Sequence, residues 1–101
     1  MAVMTPDQAH DLIVRTLLRC GTAQANAESV ARALVAAELV GQSGHGLRRV
    51  PSYAAQALSG KVDGFASPTF THPRPGVIAV DAANGFAYPA LDIAIDWLTR
   101  A

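Results

Sequence analysis

The chain has 101 residues, half of them apolar and 16% charged, which suits a globular piece of at most one domain and excludes intrinsic disorder. Eight basic residues balance eight acidic ones and only 6% are aromatic, so neither a net field nor a run of stacking platforms favours nucleic acid or an anionic membrane. The lone cysteine excludes an internal disulfide and a thiolate metal cluster, and no apolar run approaches the roughly 18–20 residues of a membrane span.

The start, Met1 to Gln8, lacks the basic and then apolar regions of a signal peptide, so a soluble cytoplasmic protein is expected. Thr5-Pro6-Asp7-Gln8 predicts a helix start, with Thr5 as N-cap, Pro6 in the first turn and Gln8 closing a capping box. Ala9, Leu12, Ile13, Leu17 and Cys20 form one apolar stripe, Gly21 supplies the stop, and Asp11 and Arg15 pair on the wet face. Cys20, at the end of that stripe, is expected to be a buried structural thiol. Thr22 is placed to cap a second helix running to about Val40, with Ala27, Val30, Ala31 and Leu34 inside and Glu28 paired with Arg32. The two helices make an antiparallel hairpin joined at Gly21. Glu38 projects from the apolar side of the second helix and needs a partner; Arg48 or Arg49 across the next turn meets that need, in a structural ion pair and not a catalytic one.

Gly41-Gln42-Ser43-Gly44-His45-Gly46 is a glycine turn, followed by a third helix that runs to about Ser59 and stops at Gly60. If the helix were continuous from His45, then His45, Arg49 and Tyr53 would lie within an arc of roughly 80°, with Leu47, Val50, Ala54, Ala57 and Leu58 opposite. Pro51 is a potential kink in it. Residues 61–76 carry Gly64, Pro68, Pro73 and Pro75 before Gly76 and form a connecting segment, with a short strand at Thr69–His72. Val77-Ile78-Ala79-Val80 is predicted as a short buried strand, ended by Asp81 and the turn Asn84-Gly85. From about Tyr88 to Arg100 the pattern is helical, with Leu91, Ile95 and Leu98 on one side and Trp97 as a packing residue. A lone strand at Val77–Val80 cannot satisfy its backbone groups. The expected fold is therefore a mostly α N-terminal part (1–60), a connector (61–76) and the first strand and helix of an α/β domain (77–101), an incomplete fold cut from a larger structure.

His45 is the leading functional residue, because an imidazole titrates near 6.5 and flanking glycines admit a ligand. The competing reading, a histidine that only caps a helix at a turn, weighs about as much on physics alone. Arg49 is placed to grip a carboxylate bidentately, whereas Arg48 points elsewhere, to Glu38 or solvent. Tyr53 either donates to a substrate or packs with its hydroxyl bonded to backbone. His10 and His72 share no ligand spacing with His45, so no metal site is expected. Gly41-x-x-Gly44-x-Gly46 has the wrong glycine order for a dinucleotide fingerprint, and it follows a helix instead of a strand. A serine nucleophile elbow fails too, because His45 stands where the second glycine belongs.

The ordered set Glu38-Leu39-Val40-Gly41, Gly44-His45-Gly46, Arg49 and Tyr53 resembles the signature of the type-2 malate/L-lactate dehydrogenases. Gly60-Lys61-Val62-Asp63-Gly64, Val80-Asp81-Ala82 and Asn84-Gly85-Phe86-Ala87 look like its continuation. The last two are similar to the branch that reduces Δ1-piperideine-2-carboxylate and Δ1-pyrroline-2-carboxylate. The resemblance implies a non-Rossmann NAD(P)-dependent oxidoreductase that transfers hydride from NADH or NADPH to a 2-oxo acid or cyclic imino acid. It implies His45 as proton donor, Arg49 near the substrate carboxylate and Tyr53 as a further substrate-binding residue, with Ser43, Gly44, Glu38 and Arg48 in support. It also implies that 77–101 begins the cofactor-binding domain, that the cofactor-binding residues lie beyond residue 101, and that the full-length protein is a homodimer. This chain departs from the family at Gly44, where members carry serine; Ser43 is the adjacent hydroxyl. The isolated 101 residues are expected to be inactive. A rival from another class is a truncated, non-enzymatic helical interaction module.

Overall fold

A computed structural model describes residues 3–100. Helix α1 spans Pro6–Arg19 and opens with the predicted capping box: the Thr5 hydroxyl accepts from the Gln8 N–H at 3.1 Å, and the Gln8 amide oxygen accepts from the Thr5 N–H at 2.9 Å. Asp11 and Arg15 pair at 3.1 Å, with both side chains about two-thirds exposed, so the pair is worth only about 0.3–0.5 kcal/mol. Helix α2 spans Gln24–Leu39 and packs along α1; Gly21, at φ +81°, makes the reversal between them. Ile13, Leu17, Val30 and Leu34 are the largest fully buried side chains, and Ala27 and Ala31 let the two helices approach. Cys20 is half-buried at the C-cap of α1 instead of fully enclosed, because the stripe runs out there.

The start of α2 differs from expectation. Its N-cap is Ala23, with no side-chain cap bond; Thr22 is buried, and its hydroxyl has no partner among the described residues. The connector secures this helix start instead. Ala23 N–H donates to the Gly64 carbonyl at 2.9 Å, and the buried Asn26 amide donates to Gly64 O at 3.0 Å and Ala66 O at 2.7 Å. Only glycine fits at 64, because a Cβ there would overlap the Gly21 carbonyl and the Thr22 hydroxyl. The expected Glu28–Arg32 pair is also replaced: Glu28 accepts from Gln24 at 2.9 Å, and Arg32 reaches Asp92 of the last helix at 3.2 Å. A long-range acid with better geometry has displaced the local one.

Helix α3 spans Val50–Ser59 and ends at Gly60, at φ +82°. Leu58 stays 71% exposed, so the apolar face of α3 is narrower than its pattern suggested, and Ala57 is its buried residue. Strands β1 (Thr69–Arg74) and β2 (Val77–Asp81) form a two-stranded antiparallel sheet, with Thr69 opposite Asp81, Phe70 opposite Val80 and Thr71 opposite Ala79. The register breaks between Thr71 and Arg74, the span that holds Pro73, which has no N–H for the ladder. The lone strand of the sequence reading thus has a local partner. It also alternates exposed and half-buried residues and is not fully buried, since only one face meets the last helix. The Asp81 carboxylate accepts from the Ala83 N–H at 2.8 Å, and Ala83 and Asn84 take left-handed φ of 54° and 63°, the turn the sequence predicts.

Helix α4 spans Ala87–Arg100 and packs on α2 and β2. It is tied to α2 through Asp92, which accepts from the buried Ser29 hydroxyl at 2.6 Å as well as from Arg32. Trp97 stacks on His72 of β1 with ring centroids 4.5 Å apart. Leu91, Ile95 and Leu98 share a side as expected, but that side is half-exposed. No helix among the described residues is long and apolar enough to cross a membrane.

Candidate active site

The predicted site begins where α2 stops. The Gln42 N–H returns to the Ala37 carbonyl at 2.9 Å, Gly41 takes φ +80°, and the chain enters two short 3-10 turns, Ser43–His45 and Leu47–Arg49. Between them Gly46 adopts φ −107°, ψ −129°, which breaks any helix from His45 onward. The continuous-helix arc through His45, Arg49 and Tyr53 therefore does not exist. Arg49 and Tyr53 remain one turn apart at the start of α3, while His45 approaches from the preceding turn. Pro51 makes no kink, because it lies in the first turn of α3, where its missing N–H is no loss.

Glu38 anchors this loop without an ion pair. Its carboxylate accepts from the Leu47 N–H at 2.9 Å, and neither Arg48 nor Arg49 has an acidic partner among the described residues. The backbone donor was not visible in the residue pattern; it is presented only because Gly46 lets the chain press against Glu38. A Cβ at Gly46 would sit 2.5 Å from both Cγ and Oε1 of Glu38. Arg48 is exposed, as a solvated charge.

Arg49 is held differently. Its Nε donates to the Gly44 carbonyl at 2.8 Å, which orients the guanidinium and leaves its two outer nitrogens without a protein partner among the described residues. Gly44 thus contributes through its backbone carbonyl. His45 is exposed at the end of the first turn, beside Gly44, and Ser43 opens that turn.

Tyr53 projects from α3 to meet α4. Its hydroxyl lies 3.3 Å from that of Tyr88, the rings are 6.3 Å apart, and the buried Phe86 packs 5.7 Å from the Tyr53 ring. The hydrogen bond to Tyr53, followed by burial, pushes the Tyr88 phenol from 10.0 up to about 12; the nearby positive charge of Arg49 opposes the rise. Tyr88 is the site residue that sequence reading missed. It lies 35 residues from Tyr53, so no local spacing links them. The only available hint was a second tyrosine just after the Asn84-Gly85 turn.

The loop amides do not form a cradle for phosphate. Those of His45, Gly46, Leu47 and Arg49 already donate to Gln42, Ser43, Glu38 and Gly46. These four amides therefore offer no free donors to the pyrophosphate of a dinucleotide. A groove of about 590 Å³ between α1, α2 and the start of α3 is lined by residues that include Leu12, Val35, Leu39 and Leu47, and by none of His45, Arg49, Tyr53 or Tyr88.

A guanidinium tethered to Gly44, an exposed histidine in the same loop and a tyrosine pair are set on a helical scaffold that has counterparts among known proteins. Residues 4–101 match the sequence model of the family described as malate/L-lactate dehydrogenase. The chain belongs to that family. It is similar to a (2R)-3-sulfolactate dehydrogenase (NADP(+)) of Chromohalobacter salexigens, at 44% identity over 83% of this chain and 25% of that protein. A Δ1-pyrroline-2-carboxylate/Δ1-piperideine-2-carboxylate reductase of Pseudomonas putida is 36% identical over 90% of the chain and 27% of its own length. The crystal structure of a Δ1-piperideine-2-carboxylate reductase from Pseudomonas syringae superposes with a TM-score of 0.91 at 34% identity, covering 99% of this chain and 30% of that one. The resemblance to the family and to its cyclic-imine branch holds, and the mostly α architecture with one small sheet matches part of an α/β fold. The chain spans only about a quarter to 30% of the length of these relatives.

Proposed function

We propose that this malate/L-lactate dehydrogenase family chain is the N-terminal, substrate-facing part of an NAD(P)-dependent reductase of cyclic imino acids or 2-oxo acids. Its helical part (1–60) leads through the connector (61–76) into the start of the cofactor-binding domain (77–101). The observation that carries the reading is the Arg49 guanidinium, held by the Gly44 carbonyl at 2.8 Å with its outer nitrogens open, next to the exposed His45.

Arg49 grips the substrate carboxylate through two parallel hydrogen bonds. His45, as imidazolium, donates its proton to the imine nitrogen or carbonyl oxygen as that atom gains electron density, and takes a replacement from solvent, to which it is open. The half-buried Tyr53 and Tyr88 rings, backed by the buried Phe86, form a wall suited to the apolar side of a five- or six-membered ring. This favours a cyclic imino acid over a substrate with a second anionic group, in keeping with the names of the Pseudomonas relatives. NADH or NADPH supplies the hydride; the loop amides described above do not hold its phosphates, which fall to residues outside this segment. Cytoplasmic location and a homodimer of the longer protein complete the proposal.

The experiment starts from the coding DNA after the Ala101 codon. A continuing open frame allows the longer enzyme to be made and assayed for loss of NAD(P)H absorbance with Δ1-piperideine-2-carboxylate, Δ1-pyrroline-2-carboxylate and pyruvate. His45→Ala should lower turnover at least a hundredfold, the range for loss of a positioned general acid; near-parental turnover would remove His45 from the mechanism. A stop codon would favour the interaction-module reading, for which the half-exposed Leu91, Ile95 and Leu98 stripe is the supporting observation.

A further inference from the structure

Tyr53 and Tyr88 form a bonded hydroxyl pair with an unused proton. In such a pair one phenol donates to the other, and the acceptor keeps its own proton to donate elsewhere. The charged neighbour is Arg49, which lowers the Tyr88 ionisation and so lies within electrostatic reach. A guanidinium has donors only and cannot receive that proton. Arg49 stands four residues, about one helical turn, before Tyr53 at the start of α3, so the leftover phenolic proton and the guanidinium nitrogens are neighbouring donors, and an anionic group from outside the chain can accept from both.

We propose that Tyr88 is a positioning residue for the substrate carboxylate: by donating to Tyr53 at 3.3 Å it turns the Tyr53 proton outward, to bind the carboxylate alongside Arg49. This rests on the reductase reading above and adds a second donor to the clamp. The fold supplies the rigidity the role needs. Tyr88 stands in the first turn of α4, and α4 is tied to α2 by Asp92, whose carboxylate accepts from buried Ser29 at 2.6 Å. Phe86, 6% exposed, packs against the Tyr53 ring from the segment leading into the same helix. Tyr88, held above its ordinary 10.0, stays protonated at neutral pH, the form that donates.

Two measurements test the proposal. These are the only two tyrosines in the chain, so absorbance at 295 nm during an alkaline titration reports them alone. One step is expected at about 12, moving toward 10.0 in Tyr53→Phe, because the largest cause of the shift is gone. Tyr88 ionising at the same pH in both proteins, with circular dichroism unchanged, would overturn the hydroxyl pair. If the chain unfolds before that pH is reached, the Tyr53 Cζ resonance of ¹³C-labelled chain at pH 7 replaces the titration; no change in Tyr88→Phe would then be the overturning result. In the longer enzyme, Tyr88→Phe should raise KM for the carboxylate substrate about fivefold and leave kcat within about twofold, and Tyr53→Phe/Tyr88→Phe should be no worse than Tyr53→Phe alone. An active parent whose Tyr88→Phe variant keeps the parental KM overturns the positioning role. A parent with no turnover on any of these substrates sinks the reductase reading, and the carboxylate role falls with it, while the titration alone judges the hydroxyl pair.

Discussion

The contact between Glu38 and the Gly46-Leu47 backbone sets the loop that carries His45 and Arg49, and it can be broken from either side. Glu38→Ala removes the carboxylate that accepts from Leu47 N–H at 2.9 Å and leaves a half-buried donor without its partner. A hydrogen bond to a charged group is worth about 1.5–3 kcal/mol, and the gain in helix propensity for Ala returns a few tenths, so a loss of about 2 kcal/mol is expected. Gly46→Ala attacks the same bond from the other end: the added carbon would lie 2.5 Å from Cγ and Oε1 of Glu38, and the flexible carboxylate must swing away. Its loss should also be about 2 kcal/mol. Because both changes break one interaction, the double variant should lose about 2 kcal/mol and not about 4, a coupling of about 2 kcal/mol. In thermal unfolding followed by circular dichroism, each single variant should melt roughly 8–16 °C lower than the parent, and the double variant close to the singles. Additive losses, or a Gly46→Ala protein that melts with the parent, would refute this account of the loop. Glu38→Gln, which keeps an acceptor oxygen without the charge, should fall between the parent and Glu38→Ala.

Asn26→Ala should destabilise the chain by about 1–3 kcal/mol in urea denaturation, because it leaves the Ala66 carbonyl, bonded now at 2.7 Å, without its donor and takes from the Gly64 carbonyl one of its two donors, the Ala23 N–H remaining; a loss below about 0.5 kcal/mol would show that the connector is held by other contacts. Arg32→Ala should cost less than about 1 kcal/mol and the difference should shrink in 1 M NaCl, since the Arg32 and Asp92 side chains are 60% and 52% exposed, whereas Ser29→Ala, which removes a buried donor, should cost more than Arg32→Ala at either salt. The folded protein holds the Tyr88 phenol above its ordinary 10.0, so the stability this contributes is complete below pH 10 and disappears as pH climbs through about 12. Urea midpoints of parent and Tyr88→Phe should therefore converge across that window; a constant gap would contradict the shift.

Local signals were enough for much of the scaffold. The capping box at Thr5 and Gln8, the stops at Gly21 and Gly60, the stripe of Ile13, Leu17, Val30 and Leu34 and the Asp81 turn all depend on residues within a few positions of one another, and these are the interactions a linear pattern encodes. The family, too, was legible, because its motif is a spacing of residues from Glu38 to Tyr53. What the pattern could not contain was every partner chosen across space. Arg32 abandoned Glu28 for Asp92, Glu38 took a backbone N–H instead of an arginine, and Thr22 lost the start of α2 to Gly64 and Asn26. In each case a side chain or helix start had a plausible partner nearby in sequence and takes one supplied by the folded chain instead.

The active-site reading divides along the same line. The residue types His45, Arg49 and Tyr53, and so the chemistry they carry, were determined by the sequence. Their arrangement was decided only when Gly46 broke the helix and when packing of α4 on α2 and β2 brought Tyr88 to Tyr53, because a hydroxyl pair 35 residues apart forms through tertiary contact and leaves no periodic trace in the chain.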